Sequence, residues 1–209
     1  SGAAAAYADG RWDCDHLPAL FRILARAEAT TERLRRTMSL LSGPVRWLGH
    51  LRNRNTRTGS RRNIAAHYDL SNAFFANWLD RTLTYSAGLF PDPDHPAAAG
   101  FTLEDASLAK YERICRALDL GPADHVLEIG TGWGGFAVYA AAHTGCRITT
   151  TTISAEQHAE AARRVQAAGL QDRVTLLQQD YRDLRGTYDK LVSIEMIEAV
   201  GHRYLPEFF

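Results

Sequence analysis

The chain has 209 residues, of which 45% are hydrophobic and 23% are charged, and its formal net charge is zero. This composition is typical of a globular protein of one or two domains and argues against a disordered or fibrous chain. No apolar run is long enough to cross a bilayer. The three cysteines lack a Cys-x-x-Cys pair, which disfavours a disulfide framework or a zinc site and favours a reducing, cytoplasmic compartment.

The first predicted element is an amphipathic helix in a basic N-terminal region, residues 1–60. Apolar residues recur mostly three or four positions apart from Leu17 to Leu41. Arginine fills much of the other face and stays frequent up to position 62. The simplest explanation is a solvated helix face. The alternative is contact with an anionic membrane surface, which would place the protein at the membrane periphery.

The segment after this helix favours the membrane alternative. Trp47, Leu48 and Leu51 lie among arginines, a mixture that suits a membrane interface. Nucleic acid would attract the same charge, but the sequence has no base-stacking motif and no groove-reading fold. We therefore expect no nucleic-acid partner.

The predicted second domain, residues 61–209, begins with aromatic and turn-rich sequence before its first long helix. Three prolines between positions 91 and 96 indicate a loop. Apolar spacing then predicts an amphipathic helix from Thr102 to Leu118, which Gly121-Pro122 would end.

Residues 125–135 combine a short buried strand with a glycine-rich turn. An apolar run from Val126 to Ile129 precedes four glycines, and Phe136 to Ala142 predicts a helix. Glycine lets the backbone adopt positive φ and lets a ligand lie against it, while the first N–H groups of the helix face that ligand. The pattern favours a nucleotide-binding unit over an ordinary strand–helix turn.

The kind of nucleotide follows from the position of the acidic residue. A dinucleotide site places an acid about 20 residues beyond the glycines, but Thr149 to Thr152 occupy that place. The acid is instead Glu128, inside the strand. Glu-x-Gly-x-Gly at a strand end resembles the first motif of the S-adenosylmethionine (SAM) methyltransferases.

The remaining elements alternate between strand and helix. We predict strands at Arg147–Thr152, Val174–Leu177 and Leu191–Ile194, and a helix from Ser154 to Ala168. This alternation predicts an α/β fold with a parallel, doubly wound sheet. We expect the Rossmann-like sheet of a class I SAM methyltransferase, with its first four strands, preceded by a helical N-terminal region.

Taken together, these motifs resemble the cyclopropane-fatty-acyl-phospholipid synthases, which include the mycolic acid cyclopropane synthases. The resemblance covers residues 60–209. The residues that carry it are His67-Tyr68-Asp69-Leu70, Leu83-Thr84-Tyr85-Ser86, Leu103-Glu104 with Ala106 and Lys110, Val126 to Gly135, Thr152 to Gln157, Gln179 to Asp183 and Ser193 to Glu198.

The resemblance implies SAM as the cofactor. The residues expected to bind it are Tyr85, Ser86, Glu128, Gly130, Gly132, Gly134, Thr152, Ile153, Gln157, Asp180, Tyr181 and Ile194. Gly130 and Gly132 would face its methionine part. Gln157, with Ile153, would contact the ribose and adenine, although Ser154-x-x-Gln157 is also a helix capping box. Tyr85 and Ser86 would close over the cofactor, although tyrosines near strands are more often core residues.

The implied reaction is methyl transfer to the cis double bond of an unsaturated phospholipid acyl chain, which leaves a carbocation in the lipid. Such a site must be dry, and aromatic faces can stabilise the cation. The candidates are Tyr68, Phe74, Phe75, Trp78, Tyr85 and Phe90. Ring closure needs a base, for which the resemblance implies a bicarbonate ion held by Glu198. The alternative for Glu198 is a solvated loop residue.

The sequence departs from the family at three places. Ala87 and Ala199 stand where many members have cysteine and histidine. The chain also stops at Phe209, whereas the family continues through strands that carry further bicarbonate ligands and much of the lipid tunnel. We therefore expect a fragment with an exposed hydrophobic strand edge, poorly stable and inactive alone. The complete protein could form a homodimer.

Three other functions fit part of the pattern. The same carbocation gives a methyl- or methylene-branched acyl chain if a different proton leaves. Methylation of a nitrogen or oxygen on a small molecule would need no bicarbonate site. A truncated, non-catalytic lipid- or SAM-binding module would explain the early stop, although the intact glycine turn and Glu198 argue against it.

Overall fold

A computed structural model describes residues 6–24, 26–27, 72–92, 94–200 and 204–208. The chain divides into two compact units, Ser1–Asn53 and Arg54–Phe209. In the first unit, residues 17–24 are helical, in agreement with a helix that starts at Leu17. The end of that helix near Leu41, the Trp47 segment, the motif at 67–70 and the predicted boundary at residue 60 lie outside the described residues.

The second unit is built on a parallel four-stranded sheet. Its strands are β1 (His125–Ile129), β2 (Arg147–Thr151), β3 (Val174–Leu177) and β4 (Lys190–Val192). Their order is β3-β2-β1-β4, and every neighbouring pair is parallel. The predicted parallel α/β sheet is therefore confirmed. The fourth strand is shorter than predicted and ends at Val192, because pairing with β1 stops there.

Helices precede, connect and follow the strands of this sheet. They are α1 (Asn72–Ala76), α2 (Leu103–Ala117), α3 (Gly135–Thr144), α4 (Ala155–Ala167), α5 (Ile197–Val200) and α6 (Leu205–Phe208), with 3₁₀ turns at Pro96–Ala98 and Tyr181–Asp183. Thr102 and Asp105 form a capping box at the start of α2, and Ser154 caps α4. Among the described helices, none is long and apolar enough to cross a membrane.

The strand order determines where a ligand can bind. The chain runs outward from β1 to β2 and β3, and β4 then pairs with the other side of β1. In open parallel sheets, ligands bind beyond the carboxyl ends of the strands, where the direction of winding reverses. That reversal lies between β1 and β4. β4 is also an edge of the described sheet, with Leu191 exposed.

Gly135, the first residue of α3, has no room for a side chain. A Cβ there would lie 2.5 Å from the hydroxyl oxygen of Tyr111 and 2.9 Å from the carbonyl oxygen of Thr82. We expect Gly135→Ala to lower the free energy of unfolding by about 1–3 kcal/mol, the usual cost of overpacking. Gly121→Ala is the matched control, because the nearest atom to its added Cβ is 3.9 Å away. Urea denaturation would measure both, and equal effects would contradict the steric explanation.

Candidate functional site

A cavity of about 900 Å³ lies at the carboxyl ends of the strands. Residues that follow each of the four strands line it, together with residues from positions 79–86. The residues predicted to bind SAM or to catalyse that line this cavity are Tyr85, Ser86, Glu128, Gly130, Gly132, Thr152, Ile153, Gln157, Asp180, Tyr181, Ile194 and Glu198. The fold therefore brings together residues that are up to 113 positions apart, from Tyr85 to Glu198 (198 − 85).

The glycines of the turn have different roles. Gly132 has a φ of +52°, and a Cβ built there would meet no protein atom within 4 Å, so this position leaves open space for a ligand. Gly130 has a φ of +102° and lies against Met196. Gly134 does not line the cavity, in contrast to its predicted role. Its Cβ would lie 3.0 Å from that of Ala161, so the missing side chain allows α3 and α4 to pack closely.

Glu128 places a buried carboxyl group in the cavity wall. Its Oε2 has no hydrogen-bond partner among the described residues. Burial raises the pKa of this carboxyl group from 4.5 to about 8, although a hydrogen bond from Thr150 lowers it in part. A buried acceptor without a partner costs free energy unless a ligand satisfies it. The position therefore suits a ligand that carries a hydrogen-bond donor or a positive charge.

The raised pKa of Glu128 predicts a pH-dependent stability of the ligand-free protein. The folded state holds a proton that the unfolded state releases above pH 4.5, so stability falls as the pH rises from about 5 to about 8. The loss should be on the order of several kcal/mol in wild type and largely absent in Glu128→Gln. Urea denaturation at about pH 5 and about pH 8 would measure this loss of stability. Glu156→Gln, at an exposed position, should keep the wild-type slope, whereas equal slopes for wild type and Glu128→Gln would refute the prediction.

Ser154 caps α4, but Gln157 does not complete the predicted capping box, because the N–H of Ser154 donates to the Thr152 hydroxyl at 3.2 Å. The backbone N–H of Gln157 donates to Oγ of Ser154 at 3.3 Å. The Gln157 side chain is buried, and its Oε1 accepts a hydrogen bond from the Thr152 hydroxyl at 2.9 Å. The side-chain amide nitrogen is therefore the group that Gln157 can offer to a ligand in the cavity.

Asp180 is held by a neighbouring arginine that the sequence did not single out. Its carboxylate accepts hydrogen bonds from Nε of Arg182 at 2.8 Å and from Nη2 of Arg182 at 2.5 Å. Both side chains are largely buried. Tyr181, between these two residues, lines the cavity, and the Arg182 guanidinium lies 5.6 Å from the centre of the Tyr181 ring. Asp180 is thus oriented before any ligand binds.

The segment before α2 is fixed by hydrogen bonds from two helices. Ser107 of α2 donates to Asp80 at 2.7 Å. Arg164 of α4 donates to the carbonyl oxygens of Arg81, at 2.9 Å, and of Thr82, at 2.7 Å. Since the two Arg164 bonds end on backbone carbonyl groups and the Ser107 bond ends on the Asp80 side chain, residues 80–82 are fixed by both backbone and side-chain contacts. The segment continues directly into Tyr85 and Ser86 of the cavity wall.

Two hydrophobic contacts complete this side of the cavity. Tyr85 packs against Phe75, with ring centres 5.5 Å apart, and Phe75 packs against Trp133 at 4.8 Å.

Next to these rings, the hydroxyl groups of Thr84 and Tyr111 share a hydrogen bond. Burial raises the pKa of Tyr111 to about 12, so this hydroxyl stays protonated and neutral.

Lys110 and Glu195 lie at the site although the sequence suggested no role for them. Lys110 donates to Oγ of Ser86 and to the carbonyl oxygen of Ala87, and Glu195 accepts from the N–H of Ala87. Both residues occur in the motifs that carry the family resemblance. No local pattern could identify their partners, because the contacts join segments 23 to 108 positions apart.

Glu198 lies in the first turn of α5, where it is exposed and lines the cavity. The predicted aromatic candidates are placed less uniformly. Tyr85 lines the cavity, whereas Phe74, Phe75, Trp78 and Phe90 do not, and Tyr68 is outside the described residues. Aromatic residues that line it without having been predicted as cation-stabilising include Trp133 and Phe136. Trp133 follows Gly132, so its position in the glycine motif is a signal that the sequence did contain.

Comparison with known proteins relates this arrangement to one family. Residues 55–209 match the family described as mycolic acid cyclopropane synthetase. The tuberculostearic acid methyltransferase UfaA1 of Mycobacterium tuberculosis is 40% identical over 215 residues, which cover 100% of this chain and 48% of that protein. The cyclopropane-fatty-acyl-phospholipid synthase of Escherichia coli K12 is 36% identical over 210 residues, or 100% of this chain and 51% of that protein. The chain spans about half the length of these relatives.

Solved structures share the fold. The cyclopropane synthase MmaA2 from Mycobacterium tuberculosis has a TM-score of 0.65 at 31% identity, over 71% of this chain and 50% of that one. The mycolic acid cyclopropane synthase CmaA1, in complex with SAH and CTAB, has a TM-score of 0.64 at 30% identity, with the same coverage. The predicted Rossmann-like, class I SAM methyltransferase fold is thereby confirmed.

Proposed function

This chain belongs to the mycolic acid cyclopropane synthetase family, and from that premise we propose that it acts as a SAM-dependent C-methyltransferase on unsaturated phospholipid acyl chains. The observation that carries the proposal is the cavity at the strand ends, where a glycine turn and a buried carboxylate adjoin an apolar wall. The first candidate product is a cyclopropane ring at the position of the cis double bond.

The described residues fit SAM as the cofactor. Gly132 leaves space for it, and Oε2 of Glu128 is an acceptor that suits the ammonium group of its amino-acid part. Gln157 and Asp180 would hold the ribose and the adenine. Bound SAM would supply an electrophilic sulfonium methyl group. The relative CmaA1, whose structure contains SAH, supports this assignment.

The apolar part of the cavity suits an acyl chain. Leu83, Trp133 and Phe136 are buried and line it. Apolar walls keep water away from the reacting carbon atoms, where it would trap positive charge. Trp133 and Tyr85 also offer aromatic faces, which attract a cation. These residues would therefore bind the lipid and protect the charge that develops on it.

Glu198 would hold a bicarbonate ion. A carboxylate can accept the hydroxyl proton of bicarbonate and so orient the ion, and Glu198 presents its carboxylate at the cavity. Tyr204 lines the same cavity, and its hydroxyl group could donate to an anion. Bicarbonate bound there would supply a base for ring closure.

A methyl- or methylene-branched acyl chain is the second candidate product. The observation that favours it is the 40% identity to UfaA1, which is named a tuberculostearic acid methyltransferase. Ala199, which replaces the histidine of many family members, also lines the cavity. Both products arise from the same positively charged acyl chain. Loss of a proton from the new methyl group with ring closure gives the cyclopropane, and loss of a proton without ring closure gives a branched chain that retains a double bond. The residues around Glu198 would decide between them.

The protein would work at the periphery of an anionic membrane. Phe74 and Trp78 are exposed, with ring centres 6.2 Å apart, and the exposed Arg81 follows them. Exposed aromatic and basic side chains suit the interface between lipid and water. The arginine-rich sequence between positions 22 and 62 would add to this attraction.

Incubation of the whole protein with methyl-labelled SAM and vesicles of a monounsaturated anionic phospholipid tests the proposal. We expect the acyl chains to gain label, and fragmentation mass spectra would distinguish a ring from a branch. Vesicles of the saturated phospholipid are the control and should stay unlabelled. SAM binding without lipid labelling would overturn the lipid substrate, and label on a small-molecule amine or hydroxyl would favour a different methyltransferase.

A further inference from the structure

Lys110 of α2 holds the loop at Ser86 and Ala87, which closes one side of the cavity. Its Nζ donates hydrogen bonds to Oγ of Ser86 and, at 2.6 Å, to the carbonyl oxygen of Ala87. The side chain is half-buried, and burial lowers the pKa of its ammonium group, although Glu195 and Asp80 oppose this shift. Ser86 lines the cavity and Lys110 does not. Lys110 can therefore act on a ligand through the loop that contains Ser86 and Ala87.

Glu195 holds the same loop from the turn after β4. Its Oε1 accepts a hydrogen bond from the N–H of Ala87 at 2.8 Å. Glu195 has a φ of +50°, in the left-handed region that residues other than glycine rarely adopt. Such strain persists where surrounding contacts favour it. Ala87 is thus fixed at both its N–H and its carbonyl group, and the neighbouring Ser86 is placed with it.

The loop lies toward the β4 side of the cavity. Glu195, which contacts it, follows β4. Gln157 follows β2 and Asp180 follows β3, on the other side of β1 in the strand order. A cofactor whose ribose and adenine lie against Gln157 and Asp180 would therefore extend its amino-acid part across β1 toward Ser86.

Hydrogen-bond chemistry determines how the Ser86 hydroxyl is used. An ammonium group only donates, so Oγ of Ser86 accepts from Lys110 and keeps its own proton for another acceptor. We propose, on the basis of the function proposed above, that Lys110 is a positioning residue that turns the Ser86 hydroxyl toward the α-carboxylate of SAM. The unpartnered Oε2 of Glu128, in the same cavity wall, complements it as the acceptor for the ammonium group of the same amino acid.

Ligands with and without the amino-acid part test this role. Calorimetry would compare SAH with 5′-methylthioadenosine, an adenosine thioether that lacks the carboxylate. Lys110→Met should raise the Kd for SAH about tenfold, the effect of one hydrogen bond that involves a charged group, and leave the Kd for methylthioadenosine unchanged. Arg113→Met removes an exposed cation from the same helix and should leave both Kd values unchanged. Circular dichroism would verify that each variant is folded.

A double-variant cycle tests whether Lys110 acts through Ser86. Ser86→Ala should weaken SAH binding, and Lys110→Met should then cause no further loss. Fully additive losses, or equal weakening of SAH and methylthioadenosine, would overturn the role of Lys110 and leave the proposed function in place. Failure of the unmodified protein to bind SAH would instead contradict the proposed function, and with it the proposed role of Lys110.

Discussion

Gly132→Val should abolish SAM binding and leave the protein folded. Gly132 lines the cavity, and the space where a side chain would begin contains no protein atom within 4 Å. The valine side chain would therefore occupy the place of the cofactor. The left-handed backbone should cost only about 1–2 kcal/mol of stability. Calorimetric titration should show that the Kd for SAM rises on the order of a hundredfold or more.

Gly169→Val separates the loss of space from the backbone strain. Gly169 has a φ of +67°, and an added Cβ would again meet nothing within 4 Å. It follows α4 and does not line the cavity. We expect a similar loss of stability and unchanged SAM binding. If both valine variants lost SAM equally, strain and not occupation of the cavity would be the cause.

Glu198→Gln should strongly slow formation of the cyclopropane product and leave SAM binding intact. The change removes the charge and keeps the shape of a side chain that lines the cavity. A neutral amide orients bicarbonate less well, and without a positioned base the rate should fall on the order of 10²- to 10⁴-fold. Initial rates of cyclopropane formation in monounsaturated phospholipid vesicles, measured on the whole protein from fragmentation mass spectra of the labelled acyl chains, would show this.

Glu156→Gln is the matched control for this rate measurement. Glu156 also lies in the first turn of a helix and is exposed, but it is not part of the cavity wall. Its replacement should leave the rate unchanged. Unchanged ring formation by Glu198→Gln would exclude a bicarbonate role for Glu198. Loss of SAM binding in Glu198→Gln would instead indicate that Glu198 contacts the cofactor.

The helices and strands of the second unit could be predicted from residues that are adjacent in the sequence. The apolar run ending at Ile129, the glycine turn and the helix after it were all predicted, because backbone conformation and burial on both faces constrain adjacent positions. Thr102 and Ser154 mark helix starts for the same local reason, since a cap bonds to residues within one turn. β4 was predicted less well, since its length depends on pairing with β1.

The α/β fold and most of the cavity wall could be predicted from the amino-acid sequence, because strand ends and their turns meet at one edge of a parallel sheet. The packing of Gly134 between two helices and the positions of Lys110 and Glu195 around Ala87 became visible in the folded protein. The tertiary structure also showed that Glu128 has an unpartnered oxygen. These features depend on side chains from segments distant along the chain, and neither spacing nor composition encodes which of those side chains meet.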